Sequence, residues 1–225
     1  MDKRFMLRGS GAENEKRMQS GRRRIGIYGG TFDPPHLGHI SAAADFLKQC
    51  CLDMLYVMPV NIPPHKAAAS AEPAQRLEML RLIFSEAADS ASDGRICVSD
   101  FEMCQPGKSY TVITLRHFRK EGELFLLVGT DMFMTLDTWY LAQEIFRLAT
   151  IVYVRRGSGE CEAELAERGR FYERTYAAKV LPLRHVPFEV SSTEIRKLLT
   201  DGKDTSAYLP TSVAEYIKIH GLYNV

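Results

Sequence analysis

The segment Gly29 to His39, GGTFDPPHLGH, gathers the residue types that handle phosphate. Paired glycines at a turn let backbone come close to a ligand. The free N–H groups of a following helical turn, with the helix dipole behind them, attract anions. His36 and His39 stand three residues apart, which on a helix places both imidazoles on one face near that amino terminus, aimed at the same phosphates. Gly38 between them removes a side chain where a nucleotide would approach, and Asp33 is placed to cap the helix. Neither a GxxxxGKS/T loop nor a GxGxxG fingerprint occurs in the segment, so a P-loop and a dinucleotide turn are not available as explanations.

Two other readings of the same residues compete. Asp33, His36 and His39 recur every third residue and each is a legitimate metal ligand, which would suit a metal-dependent hydrolase. Zinc histidines on a helix are best known at i and i+4 with a catalytic Glu beside them, and no such Glu occurs here. Two histidines that merely pack or face solvent would leave the Gly-Gly turn and the flanking prolines without a purpose. The chain offers no convincing serine or cysteine triad.

The elements that must position this segment alternate between strand-like and helical patterns. Ile25 to Tyr28 reads as a strand, followed by the Gly-Gly turn and a helix to about Gln49. Further strands are expected over Met54 to Val60, Arg95 to Val98, Leu124 to Val128, Thr150 to Val154 and Lys179 to Leu183. Helices are expected from Pro73, over Ser109 to Glu121, over Met132 to Leu148, over Ser192 to Thr200 and over Pro210 to His220. Such alternation implies an α/β fold: a Rossmann-like, doubly wound parallel sheet with helices on both faces and a small helical end. The stretch from Gly157 to Tyr176, dense in Gly, Glu and Arg, reads as an exposed insertion.

Composition bounds the rest. At 225 residues, with 45% apolar and 25% charged residues, the chain is ordinary globular material. No run approaches the roughly 18 apolar residues of a membrane helix, and no signal peptide is evident. Five cysteines without a CxxC spacing fit reduced thiols and a cytoplasmic setting. The net charge of +1 conceals a basic stretch: residues 1 to 24 hold eight Lys/Arg against three Asp/Glu. With Phe5 as its one aromatic, that stretch lacks the interleaving an RNA-binding surface needs, so residues 1–23 are expected to be a disordered extension and 24–225 a single domain. Neither nucleic acid nor membrane is an expected partner, and homo-oligomerisation is left open.

Several segments together resemble one family. GGTFDPPHLGH looks like the signature of nucleotidyltransferases with a histidine-x-glycine-histidine motif. Pro63-Pro64-His65-Lys66, Arg76 with Met79, Ser109-Tyr110-Thr111, Gly129-Thr130-Asp131, Thr138-Trp139-Tyr140, Val190 to Arg196, and Tyr208-Leu209-Pro210 to Gly221-Leu222-Tyr223 resemble bacterial nicotinate-nucleotide adenylyltransferases in the same order. The resemblance spans about Arg24 to Tyr223. Departures are Ile113 where a polar residue is common, Val190 in place of an isoleucine, and the basic segment before Arg24.

The resemblance implies transfer of AMP from ATP to nicotinate mononucleotide, giving nicotinate adenine dinucleotide and pyrophosphate, with Mg²⁺ carried on the triphosphate. It implies that His36 and His39 hold the transferring and leaving phosphates while Lys66 and Arg196 add fixed charge. It places Gly29, Gly30, Thr31, Phe32, Ser191, Ser192 and Thr193 around ATP, and Asp131 on ribose hydroxyls. Trp139 would stack on the pyridine ring, with Thr111 and Tyr140 lending N–H groups to the nicotinate carboxylate. For Trp139 and for Arg155-Arg156, residues alone leave a packing or ion-pair role equally open. Rival readings are a sister enzyme acting on phosphopantetheine or nicotinamide mononucleotide, and a non-catalytic nucleotide sensor. His36 and the length of the chain weigh against the phosphopantetheine enzyme, which commonly has threonine there and a shorter chain.

Overall fold

Apolar runs too short to be helices pair side by side, and the periodic stretches between them cover the two faces they create. The chain is seen in a computed structural model that describes residues 21–61, 69–88, 94–155, 161–186, 188 and 190–224; residues 1–20, the segment holding Lys66, and Arg156 lie outside them. The strands are β1 (Arg24–Gly30), β2 (Met54–Pro59), β3 (Ile96–Val98), β4 (Glu123–Gly129), β5 (Ala149–Val154) and β6 (Val180–Pro182). The helices are α1 (Leu37–Gln49), α2 (Pro73–Ala88), α3 (Thr111–Phe118), α4 (Thr130–Phe133), α5 (Ala142–Leu148), α6 (Glu162–Tyr176), α7 (Ser192–Thr200) and α8 (Thr211–Ile219).

The strands form one parallel sheet in the order β3-β2-β1-β4-β5-β6, with Ile25 of β1 opposite Met54 of β2 and Leu124 of β4. This is the doubly wound order. The connections leaving β1 and β4 pass to opposite faces, which opens a crevice at the carboxyl ends of those two strands. Side chains alternate accordingly. Ile25 and Ile27 of β1 with Leu124, Leu126 and Val128 of β4 pack beneath α3, α5 and α6, while Phe125 and Leu127 pack beneath α1, α2, α7 and α8. Both faces of β4 are buried, as its continuous apolar run requires.

Two expected elements differ. The helix expected over Met132 to Leu148 is broken into α4, a 3-10 turn at Leu136–Thr138, and α5, because Trp139 is extended and Leu141 adopts φ 54°. The break turns Trp139 and Tyr140 out of the helical register. Much of the expected exposed insertion is α6, a crossover helix packed between β5 and β6. Leu165, Gly169 and Tyr172 fall on its inward face, and the fully buried Tyr172 donates its hydroxyl proton to the Phe133 carbonyl at 2.7 Å. Its charged residues hid a sparse 4-3 apolar stripe.

Candidate active site

The β1–α1 loop crosses the crevice mouth, and its shape follows from which groups tie it down. Phe32 takes the left-handed region at φ 51° and tucks its ring edge-on against Tyr28 and His39. Gly30 is required there, since a Cβ would come within 2.9 Å of that ring, whereas a Cβ on Gly29 would meet nothing within 4 Å. The open face of Gly29 is where backbone can approach a ligand. Three loop carbonyls are tied down by side chains: Arg76 donates to Thr31 O at 2.8 Å, Arg196 to Asp33 O at 2.6 Å, and the Ser192 hydroxyl to Pro34 O at 2.9 Å. Carbonyl oxygens that would repel phosphate are thereby occupied.

His36, not Asp33, occupies the N-cap of α1, with extended backbone. Its N–H donates to His39 Nδ1 at 3.1 Å, and the two rings lie 3.8 Å apart. An accepting Nδ1 places the His39 ring proton on Nε2, so His39 presents a donor. Asp33 instead points inward at 3% exposure. Its carboxylate accepts from Ser70 N–H at 2.7 Å, Ala71 N–H at 3.1 Å and the Tyr223 hydroxyl at 2.7 Å, with Arg196 Nη1 3.7 Å away. Those bonds remove Asp33 from any metal triplet with the histidines. Among the described residues no group of three His, Cys, Asp or Glu could hold a metal ion. Gly38 makes room for protein: a Cβ there would lie 2.8 Å from the Phe188 ring, which stacks on His36 at 5.8 Å.

The loop opens on a cleft of about 800 Å³. Gly29, Gly30, Thr31, Phe32, His36 and His39 line one wall and Ser191, Ser192, Thr193 and Arg196 another. Ser191 caps α7 in a reciprocal bond with Glu194, whose carboxyl is held below the usual range by the Ser191 hydroxyl and amide. Arg196 also donates to Thr193 Oγ1, so its guanidinium both braces the loop and borders the cleft.

The far end is bordered by Thr111, Trp139 and Tyr140. Thr111 opens α3, so its N–H has no intrahelical acceptor. Trp139 is half-buried, one side against the core and the other on the cleft, while Tyr140 is exposed with its ring 4.8 Å from Tyr110. Asp131 is not brought to the lining. It is exposed in the first turn of α4, between the lining residues Gly129 and Met132. Ile113 is away from the cleft, on the outer side of α3. Arg155 borders the cleft and also pairs with Glu162 at 2.6 Å, so the ion pair left open by the sequence is formed.

The chain's relatives agree with this architecture. Residues 27–198 match the family profile described as cytidylyltransferase-like. A protein of Desulfatibacillum aliphaticivorans described as a probable nicotinate-nucleotide adenylyltransferase is 35% identical, over 89% of this chain and 99% of its own length. One from Thermus thermophilus, described in the same words, is 38% identical with the same coverage. This chain belongs to the nicotinate-nucleotide adenylyltransferase family. It is a nucleotidyltransferase. Among solved structures, Plasmodium falciparum nicotinic acid mononucleotide adenylyltransferase complexed with NaAD superimposes with a TM-score of 0.73, covering 90% of this chain and 98% of that one at 18% identity. At that identity the likeness speaks for the shared fold.

Sequence reasoning undervalued Arg76, Tyr223 and Glu102. Arg76 is 1% exposed and also donates to Val60 O at 2.8 Å, Asn61 O at 3.3 Å and Ala71 O at 3.3 Å. Burial lowers its pKa and the Asp33 carboxylate opposes that shift. The signal was present: Arg76 continues the stripe of Leu80 and Ile83, a cation on an apolar helix face. Tyr223 lies outside any periodic pattern, at φ 61° after Gly221, and burial followed by its bond to Asp33 raises its pKa.

Proposed function

We propose that this nucleotidyltransferase joins ATP and nicotinate mononucleotide into nicotinate adenine dinucleotide. The carrying observation is one cleft with a histidine-lined phosphate loop at one end and a half-exposed tryptophan beside a helix amino terminus at the other. A volume of about 800 Å³ is in the range of small-molecule sites and suits two nucleotides laid end to end.

A phosphate oxygen of the mononucleotide attacks the α-phosphorus of ATP. The new P–O bond forms as the bond to the β-phosphate breaks, and pyrophosphate leaves with the electron pair. A nucleotide phosphate has its second pKa near 6, so the nucleophile is already ionised and needs no base. Catalysis reduces to alignment and stabilisation of charge. His39 Nε2–H, His36 and the N–H groups of the first turn of α1 receive the phosphates, and Arg196 contributes fixed charge at the second helix start. Lys66 is proposed to do the same from outside the described segment. Mg²⁺ fits as a companion of the triphosphate, held by phosphate oxygens and water, because Asp33 is committed to its own partners. It neutralises triphosphate charge. Trp139 stacks on the pyridine ring and Thr111 and Tyr140 present N–H groups to its carboxylate. A carboxamide would set its own N–H₂ against those donors, which is costly when desolvated.

The remainder of the reading is an enzyme of the cytoplasm built as one domain over 24–225. Among the described residues no helix is long and apolar enough to cross a membrane. The test is pyrophosphate release and product mass with ATP, Mg²⁺ and, separately, nicotinate mononucleotide, nicotinamide mononucleotide or phosphopantetheine. Release mainly with the first supports the reading, and release only with phosphopantetheine refutes it. A chelator is expected to stop turnover, with added Mg²⁺ restoring it in full.

A further inference from the structure

Glu102 is an acid in a place where an apolar side chain would cost less. It follows β3, is 5% exposed, and borders both the cleft and a smaller cavity of about 110 Å³ beside α3. Its Oε1 accepts from the Thr114 hydroxyl at 2.7 Å. Its Oε2 is sealed from solvent and has no hydrogen-bond partner among the described residues. Burial pushes its pKa up, with the hydroxyls of Thr114 and Ser109 working against the shift. An imperfectly matched buried carboxyl lowers stability, so its use has to be sought in what it holds.

What it holds leads to the end of the cleft assigned to the pyridine. Thr114 lies one turn into α3, and Ser109 stands two residues before Thr111, which opens that helix. Ser109 Oγ accepts from Asn61 N–H at 2.9 Å, the Asn61 carbonyl accepts from Arg76, and the same guanidinium fixes Thr31 O in the phosphate loop. Glu102 and Ser109 border the same small cavity, so polar groups bonded to α3 on one side and to the loop that carries the histidines on the other meet there. Such interior networks admit few alternative arrangements.

We propose that Glu102 is a positioning residue for the pyridine end of the cleft. Through Thr114 it fixes the amino terminus of α3, and with it the Thr111 N–H, so that a carboxylate is accepted there in preference to a carboxamide. This rests on the assignment of that end to nicotinate mononucleotide. Burial, by raising the pKa of this carboxyl, also disfavours negative charge facing an incoming anion.

The experiment compares wild type with Glu102→Met, Glu102→Gln and Thr114→Val, measuring kcat and KM for ATP, nicotinate mononucleotide and nicotinamide mononucleotide, with Tm as a folding control. In Glu102→Met, KM for the nicotinate substrate is expected to rise about tenfold or more, with KM for ATP within about twofold and kcat within about threefold. Selectivity over the nicotinamide substrate falls by the same factor. Glu102→Gln, which keeps shape and an acceptor for Thr114, returns KM to within about threefold of wild type, and Thr114→Val gives a smaller rise of about threefold. If Glu102→Met does not fold, Thr114→Val and Glu102→Gln decide. Equal rises in both substrates' KM, unchanged selectivity, or a Gln variant as impaired as Met each overturn the proposal. Wild type that turns over nicotinate mononucleotide beside unaffected variants overturns this proposal alone. Wild type that does not use that substrate overturns the parent reading as well.

Discussion

Replacing Arg76 with methionine tests whether the phosphate loop is held from below. The substitution keeps an apolar stem in a site that is 1% exposed, and removes the donors to the carbonyls of Thr31, Val60, Asn61 and Ala71. Each carbonyl stranded away from water costs about 1–3 kcal/mol. Two of the four bonds are long at 3.3 Å and Val60 shares its donor with Asn61, so the sum is nearer two bonds than four. Relief of the guanidinium's desolvation offsets part of that loss, leaving a net cost of about 2–4 kcal/mol. At about 2–4 °C per kcal/mol for a chain of this size, Tm falls by about 4–16 °C. Below the new Tm, the loosened Thr31 segment lowers kcat by about tenfold or more, since a displacement of about 1 Å at a phosphate contact carries that penalty. Arg76→Lys falls between the two, because one ammonium cannot span carbonyls on three segments. Circular dichroism melts paired with turnover at a temperature where both proteins are folded give the two readings. A methionine variant melting within about 2 °C of wild type with an unchanged rate would refute the account of the clamp.

Three further outcomes are expected. His39→Ala removes a preorganised donor and lowers kcat by about a hundredfold or more, close to 3 kcal/mol, with KM for ATP little changed, read by steady-state kinetics. Tyr223→Phe removes the bond to Asp33 and lowers stability by about 1–2 kcal/mol, seen in denaturant melts, while kcat falls less than in Arg76→Met. Tyr56, whose hydroxyl donates to Glu121 at 2.8 Å, has its pKa pushed from 10.0 up to about 12, first by burial and then by that carboxylate. A raised folded-state pKa means its contribution is full below pH 10 and is lost as the pH climbs toward 12. Wild type therefore loses stability across that window and Tyr56→Phe loses less, as alkaline melts would register.

Patterns that repeat along the chain were legible, and arrangements that depend on distant partners were not. The alternating runs around Ile25, Leu124 and Ile151 announce the parallel sheet because burial on both faces demands uninterrupted apolar strands. His36 and His39 were legible because their three-residue spacing is local. Asp33 was misread as a cap for want of Ser70, Ala71 and Tyr223, none of them near it in sequence. Gly38 was credited to a nucleotide when Phe188 fills the space. The break at Leu141 escaped notice because a leucine in the left-handed region carries no compositional mark. Glu102 carries no local mark of its burial, since Thr114, to which it is bonded, lies twelve residues on.

The bond from Tyr223 to Asp33 joins positions 190 residues apart, and Arg196 reaches the same loop across 163. On the ribosome, β1 to β6 can pair as they emerge, but the β1–α1 loop gains these two braces only when Arg196 and then Tyr223 have followed. A translation product halted before α7 would therefore carry all six strands while the β1–α1 loop still lacked both braces, so the sheet can form ahead of the cleft it presents.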